Sequence, residues 1–492
     1  MANSDGIAFP IGKNGKRSTT RTGQKIFAAA ARPVDIQLAD AILKERKWRA
    51  NYIQYVERLT VRALESAENA LTIAQHGLDA TYREMQFEID GQSPDILTAM
   101  SQPKTQLHTA TIHGTGTPAA LSVPHQGSDL SGKALSTQLQ AWLDNDHLEP
   151  DNKTAIEAAM AHPEWLATDC AYVLLGAGSE MGPLESLLAW GATVVAVDLN
   201  RPKIWRRLIK FARTSAGTLI IPVSTKLDES VDDETLAQHA GANIISQAPE
   251  IAAWLKTIDQ PLTVGCYAYL DGGAHVRVSL AMDAIAQTVR DAKPDTSFAY
   301  LLTPTDVYGI PMAAADRSQV RGGKSRRMSL ANRVSMRVVF RPNLRKKVTC
   351  NNSEYGLVNT AISQQGPNYT LAKRLQRWRA ITAREAGTIV SCNVAPASYT
   401  RSVTKNRLFM IAYRGAGTFG LNAYKPETTK ALMAAMLLYD LHHPDSSAQP
   451  STELGNPHEL FMRGANHCGT WRMPYQLSSM LYPAVIRGAM PF

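Results

Sequence analysis

Residues 172–198 read YVLLGAGSEMGPLESLLAWGATVVAVD. Tyr172–Leu175 is a short run of apolar residues, the signature of a strand covered on both faces. Gly176, Gly178 and Gly182 follow as a tight turn. Pro183 then opens a predicted helix, at a position where its missing N–H costs little. The helix runs to Trp190 and stops at Gly191. Thr193–Val197 is a second strand, closing on Asp198. A strand, a glycine turn, a helix and a second strand make the unit from which parallel sheets are built.

The same alternation continues downstream. Strands are predicted at Leu219–Val223, Leu262–Tyr267, Phe298–Leu302 and Thr388–Asn393. Helices are predicted between them, at Lys203–Arg213, Ile244–Ile258, Val276–Asp291 and Tyr369–Arg384. The expected fold class is therefore α/β, a doubly wound parallel sheet of the Rossmann type over 166–405. A basic insertion, 310–358, interrupts it.

The flanks read differently. Residues 1–32 carry Lys13, Lys16, Arg17, Arg21 and Lys25 with one acid, Asp5, and are expected to be a flexible basic tail. They lack the apolar core of a secretory signal; an organellar transit peptide stays open. Residues 33–165 are expected to be mostly helical. Ile36, Leu38, Tyr52, Val56, Leu59 and Ala63 recur at helical spacing, with no Pro or Gly between Pro33 and Gly77. Residues 92–130 read as loops, and 133–165 return to helix. His113–Thr117 resembles the histidine motif of β-ketoacyl synthases, but the cysteine elbow that family needs is absent. Residues 406–492 are expected to form a packed cap, with a strand at Leu408–Tyr413 and a helix at Glu427–Leu441.

Composition excludes several classes. Of 492 residues 44% are apolar and 19% charged, an ordinary globular balance. No apolar run reaches the 18 residues of a membrane-spanning helix. The five cysteines are scattered, which favours reduced thiols and a cytoplasmic compartment over a disulfide framework. No His/Cys cluster has metal-ligand spacing, so no metal site is expected. The net charge is +9, and its excess is concentrated: Arg317 to Lys347 holds eleven Lys/Arg and no acid. Such a segment attracts polyanions or an anionic ligand.

Chemistry follows from the turn. Glycines let the backbone approach a pyrophosphate, and helix N-terminal amides favour the anion. Gly176, Gly178, Ser179, Met181 and Gly182 are the candidate contacts. Asp198 comes 22 residues after Gly176, where an acid accepts hydrogen bonds from an adenosine ribose. A carboxylate suits a free 2′-OH and repels a 2′-phosphate, so Asp198 leans towards NAD over NADP. Arg201, Lys203, Arg206 and Arg207 pull the other way. An S-adenosylmethionine-dependent methyltransferase also uses such a turn, usually with an acid two residues before the first glycine; Leu174 stands there.

Tyr369 and Lys373 lie four residues apart on one face of a predicted helix. A cation near a phenol lowers its pKa and readies it for proton transfer. The helix leads into a strand ending Asn393-Val-Ala-Pro396. From Ala171 to Arg401 the chain resembles the short-chain dehydrogenase/reductase family: a glycine turn after the first strand, a Tyr-x-x-x-Lys helix, and a last strand ending in an Asn-x-x-x-Pro-like motif. The resemblance implies an NAD(P)(H)-dependent oxidoreductase acting on a carbonyl or hydroxyl. Tyr369 would move the proton, Lys373 would tune it and hold the ribose, and Thr305, or Thr303 as second choice, would orient the substrate oxygen. It also implies a homo-oligomer, since family members associate through the catalytic helix.

The chain departs from the family at three places. Glu180 replaces a glycine of the turn. Tyr269-Leu-Asp271-Gly272-Gly273 stands where Asn-Ala-Gly is usual. Thr305 and Tyr369 are 64 residues apart, because the basic insertion intervenes. That insertion is expected to fold over the site and grip an anionic handle, such as a phosphorylated, coenzyme A-linked or carrier-linked substrate. A non-catalytic scaffold whose basic segment binds nucleic acid or a protein partner is the alternative from another class.

Overall fold

A computed structural model describes residues 5–166, 168–228, 230–323 and 340–490. Its centre is a seven-stranded sheet: β1 (His108–His113), β2 (Ala171–Leu175), β3 (Thr193–Val197), β4 (Thr218–Val223), β5 (Leu262–Cys266), β6 (Ser297–Leu302) and β7 (Val390–Val394). The order across the sheet is β7-β6-β5-β2-β3-β4-β1. The six strands β2 to β7 run parallel. Only β1 is antiparallel, pairing with β4 at one edge. The architecture is thus mixed α/β, as the alternation predicts.

Side-chain alternation explains the layers. Ala171, Val173 and Leu175 of β2 enter one core, and Tyr172 and Leu174 enter another on the opposite face. All five are buried, so the strand shows no polar alternation. The first face carries helices Gly273–Ala292 and Gly366–Glu385. The second carries Leu184–Ala189, Pro202–Thr214 and Pro426–His442. The chain runs outward from β2 through β3 to β4, then returns to lay β5 on the other side of β2. That reversal opens a crevice beyond the carboxyl ends of β2 and β5.

Several expectations need correction. Residues 5–31 are packed. Gly6–Ala8 pairs antiparallel with Gln86–Glu88, and Thr19–Ala31 is a helix that buries Ile26 and Phe27. Two of the segment's five cations are paired within the fold, Arg17 with Glu88 and Lys25 with Glu84. Within 92–130, read as loops, β1 completes the sheet edge, where Trp254 Nε1 donates to the Thr109 hydroxyl. Leu408–Tyr413 lies in a helix, Arg407–Ala416, started by the Asn406 side chain accepting from the amides of Leu408 and Phe409. Helix Pro426–His442 belongs to the sheet's second face, burying Leu432, Met436 and Leu438, so 406–492 is partly core and not only cap.

The insertion begins at Val307. Strands Val307–Pro311, Ser353–Asn359 and Leu344–Cys350 form a separate antiparallel sheet, in that order. It packs on helix Trp48–Glu65: a Cβ on Gly309 would fall 2.6 Å from Leu64 Cδ2. Much of the basic run, 324–339, lies outside the described residues. Within the described part, Arg345 pairs with Glu57 and Lys347 with Asp316.

The N-terminal helices cover the Tyr369 helix. Phe27 meets Trp378 edge-on with ring centroids 6.0 Å apart. Gly77 faces the same indole, and a Cβ there would lie 2.6 Å from Trp378 Cε3. Arg374, Arg377 and Arg379, which make the helix look surface-charged in sequence, are all turned inward onto Asp306 and Asp283. An association through this helix would first have to displace the chain's own residues 19–84. Among the described residues no helix is long and apolar enough to cross a membrane.

Candidate functional site

A cavity of about 1060 Å³ occupies the crevice. Gly176, Gly178, Ser179, Glu180, Met181 and Asp198 bound one end; Thr303, Thr305, Tyr369 and Lys373 bound the other. The predicted site residues therefore converge on one space, with one exception. Gly182 stands back from it, its amide donating to Ser179 O at 3.3 Å.

The turn is tightly determined. Gly176 has φ +94°, and a Cβ on it would lie 2.5 Å from the Ala268 backbone leaving β5. No other residue fits that approach. Asp198 locks the turn to β3: Oδ2 accepts from the Gly178 amide at 2.7 Å and Oδ1 from the Leu199 amide at 2.7 Å. Burial raises the Asp198 pKa, with these two amides pulling against it. The amides of Gly176 and Ala177 donate to Val197 O, and that of Ser179 to Gly176 O. The helix starts only at Leu184 and has six residues. The helix-end amides of 184–186 are therefore set back from the cavity lining. Anion-attracting groups on this part of the cavity are side chains: Ser179, Arg201 and Lys405. Glu180, on the cavity wall, pairs with Arg401, accepting from its backbone amide at 2.9 Å and its Nε at 3.2 Å.

At the other end, β6 delivers the threonines. Thr303 Oγ1 and Thr305 Oγ1 are 2.8 Å apart, and Gln365 Nε2 donates to Thr305 at 2.7 Å. Thr305 is buried at 8% exposure and already engaged, whereas the Thr303 side chain bonds the Tyr369 phenol. The second choice from sequence is thus the one beside the phenol.

The Tyr369–Lys373 pair does not behave as its spacing predicts. Burial raises the phenol's pKa, and the Thr303 hydroxyl only partly offsets this. Lys373 Nζ lies 5.9 Å from the phenol ring centroid. It donates to Leu301 O and Gln376 Oε1, each at 3.0 Å. Burial brings its own pKa down to about 8. The group poised to exchange a proton near neutral pH is therefore the amine.

His275 belongs to the site and was missed in sequence. It is the third residue of helix Gly273–Ala292, is 1% exposed, and lines the cavity. Neither ring nitrogen has a protein partner. Burial first, and the Lys373 charge second, bring its pKa down to about 3, so the ring is neutral. Tyr269 joins it, with centroids 4.8 Å apart, and also meets Tyr369 at 6.1 Å. This aromatic wall occupies the place of the missing Asn-Ala-Gly. No local pattern announces it; its only trace is position, just after a strand's carboxyl end.

Two further segments stand apart from the cavity in the described residues. Asn393 faces away from the cavity and donates to Asp440 and Ser391 in a buried network, although Ala395–Ser398 after it do line the space. The insertion contributes no lining residue between Val307 and Asn359 among the described residues. His113–Thr117 packs its glycines on the Ser215 backbone, away from the cavity.

Neither a protein-family model nor a curated protein sequence matches this chain.

Proposed function

We propose that the chain is an NAD(P)(H)-dependent oxidoreductase of the short-chain dehydrogenase/reductase type, built on a Rossmann-type domain. The single observation carrying this reading is the convergence of turn, Asp198, Thr303, Tyr369 and Lys373 on one cavity at the reversal of strand order. Counted from β2, the six parallel strands run 3-2-1-4-5-6, the order that binds dinucleotides at this crevice. The cavity is roomy enough for a dinucleotide and a small substrate together.

The residues fit the group. Asp198, at the end of the second parallel strand, would accept from the adenosine ribose with its remaining lone pairs. Its carboxylate favours NAD; Arg201 beside it offers a site for the extra phosphate of NADP. Ser179, Arg201 and Lys405 would hold the pyrophosphate, in place of amides spent within the turn. The nicotinamide supplies the hydride.

The substrate oxygen is placed by Thr303, with Thr305 and Gln365 bracing it. Tyr369, kept protonated by burial, gives its hydroxyl proton to the oxygen as charge develops there. The resulting phenolate is balanced by the Lys373 ammonium, which can in turn exchange a proton with solvent. Neutral His275 offers one N–H and one lone pair to the bound ligand. An anionic handle on the substrate would not meet the described part of the insertion, which lines none of the cavity.

Calorimetric titration with NADH, NADPH and adenosylmethionine tests the reading. Saturable binding of a nicotinamide dinucleotide, weakened by Asp198→Asn, is expected. Binding of adenosylmethionine alone would move the chain to the methyltransferases. Binding of none, with polyanion binding lost on neutralising Arg345, Lys346 and Lys347, would favour the non-catalytic scaffold.

A further inference from the structure

Helix Leu477–Ala489 turns an apolar side to solvent. Its exposed positions are Ser478, Tyr482, Ile486 and Ala489, one stripe at helical spacing. Tyr482 is 75% exposed and Ile486 60%. Met490 follows immediately and is also exposed. Helix Arg407–Ala416 crosses this helix on glycine contacts. A Cβ on Gly415 would fall 1.9 Å from Ala484 O, and one on Gly488 2.0 Å from Ile411 O. That register brings the Leu408 end of one helix beside the Met490 end of the other, and Leu408 is exposed too. Four of the ten large apolar side chains exposed among the described residues are thus gathered on this helical pair. Scattered single apolar residues need no explanation; a group on one pair of helices does.

The segments that build this face carry charge of one sign. Residues 401–423 and 464–490 contain no Asp or Glu, and Lys405, Arg407 and Arg414 are exposed. A second copy of the chain meeting the face across a twofold axis would set cation against cation. Apolar side chains rimmed by Arg and Lys, with a tyrosine among them, instead match an interfacial helix resting on anionic lipid. At 13 residues the helix is too short to cross the hydrocarbon layer. Helix Arg407–Ala416 and the turn before it also border the cavity. Val403, Lys405, Phe409 and Tyr413 line it.

We propose that helices Arg407–Ala416 and Leu477–Ala489 dock the protein on an anionic lipid bilayer, with Tyr482, Ile486, Leu408 and Met490 reaching into the interface and the cavity bordering the docked surface. The aliphatic groups enter below the headgroups, the Tyr482 phenol stays at their level, and the arginines meet lipid phosphates. A ligand of the cavity would then be drawn from an amphiphilic pool. The docking stands whether or not the cavity takes a nicotinamide.

Flotation of the full chain with phosphatidylcholine vesicles, with and without about one-third phosphatidylglycerol, tests this. Binding to the anionic vesicles and not to the neutral ones is expected. The double variant Tyr482→Ser/Ile486→Ser should lose about tenfold or more in partitioning. Arg407→Gln/Arg414→Gln should weaken binding and flatten its salt dependence. Both positions are exposed, and unchanged thermal unfolding and nicotinamide titration would show that fold and cavity are intact. No flotation of the wild-type chain, or equal flotation of the Tyr482/Ile486 variant, overturns the proposal. So does a dimer in sedimentation that the same variant dissociates, without vesicle binding, which would give the face to a second copy. Binding to soluble polyglutamate that ignores Tyr482 and Ile486 would give it to an acidic polypeptide and overturn the lipid proposal as well.

Discussion

The imidazole of His275 stacks on the phenol ring of Tyr369, their centroids 5.4 Å apart and their planes 22° from parallel. The stack fixes the ring's plane while both its nitrogens go without a protein partner. A buried polar group left unmet costs about 1–3 kcal/mol. His275→Phe keeps the stack and removes that cost. The variant should unfold at the same or a higher temperature than wild type, yet bind its cavity ligand about tenfold more weakly, the loss of roughly one hydrogen bond. The native ring stays neutral down to about pH 3, whereas the unfolded chain protonates it near 6.5. The unfolded state thus binds the extra proton between these values, and wild-type stability falls as pH drops through that window. The variant should lack this part of the slope. Lower stability with unaltered ligand binding would make His275 a packing residue only.

Lys373 carries the second prediction. Its folded pKa of about 8 lies below the ordinary 10.5, because burial disfavours the ammonium. From pH 8 to 10.5 the unfolded chain binds a proton that the native chain has released. Wild-type stability should therefore gain on that of Lys373→Met as pH rises through this range. Below pH 8 the buried ammonium is a net burden, and Lys373→Met should unfold later than wild type. Turnover should behave oppositely, with the methionine variant losing its basic limb near pH 8. A pH–rate profile unchanged in Lys373→Met would remove the amine from the proposed proton path.

The turn gives a pair of opposite effects. Asp198 holds two backbone amides and so has a structural task before any ligand binds. Asp198→Ala should cost about 1–3 kcal/mol of stability for the stranded amides, while Asp198→Asn retains one acceptor and costs less. Glu180 points at Arg401 across the cavity rim, where solvent screens the pair. Glu180→Gln should leave stability within about 0.5 kcal/mol and tighten dinucleotide binding severalfold by removing a negative charge near the pyrophosphate. Titrations of both variants decide this; a Glu180→Gln that binds no better would place the phosphates elsewhere.

What the sequence carried legibly was the part built from local signals. The β2–turn–β3 unit is readable because a doubly covered strand is a bare apolar run and because Gly176 has no steric alternative. The N-terminal segment misled for a physical reason. Its cations are closely spaced, while Ile7, Phe9, Ile26 and Phe27 are few, and their partners Ile245 and Trp378 lie hundreds of residues away. Leu408–Tyr413 has a composition that suits strand or helix, and Asn406 decided for helix. The Tyr369–Lys373 spacing was right, but the direction of the phenol's shift depends on burial, which no spacing reveals. His275 is brought to the site by the fold, against Tyr369, 94 residues on.

Thr305 and Tyr369 are held in register by a buried charge cluster. Asp306 accepts from Arg374 Nη1 at 2.7 Å and Nη2 at 3.0 Å, and Arg377 approaches it at 3.4 Å. The Arg377 guanidinium lies between the Tyr308 and Phe461 rings, 4.6 and 4.7 Å from their centroids. One carboxylate thus serves two buried cations, and burial with the Arg377 charge already brings the Arg374 pKa down to about 10. Asp306→Ala would leave both guanidiniums without an anion, at about 3–5 kcal/mol. The urea midpoint should fall accordingly, and Asp306→Asn should fall less. Adding Arg374→Met to Asp306→Ala removes one of the stranded cations and should recover part of the loss. Because Arg374 lies on the helix of Tyr369 and Lys373, turnover should follow the same order even at temperatures where every variant is folded. Additive losses in the double variant would mean that Asp306 and Arg374 stabilise the chain independently, and that the cluster does not hold the Tyr369 helix to β6.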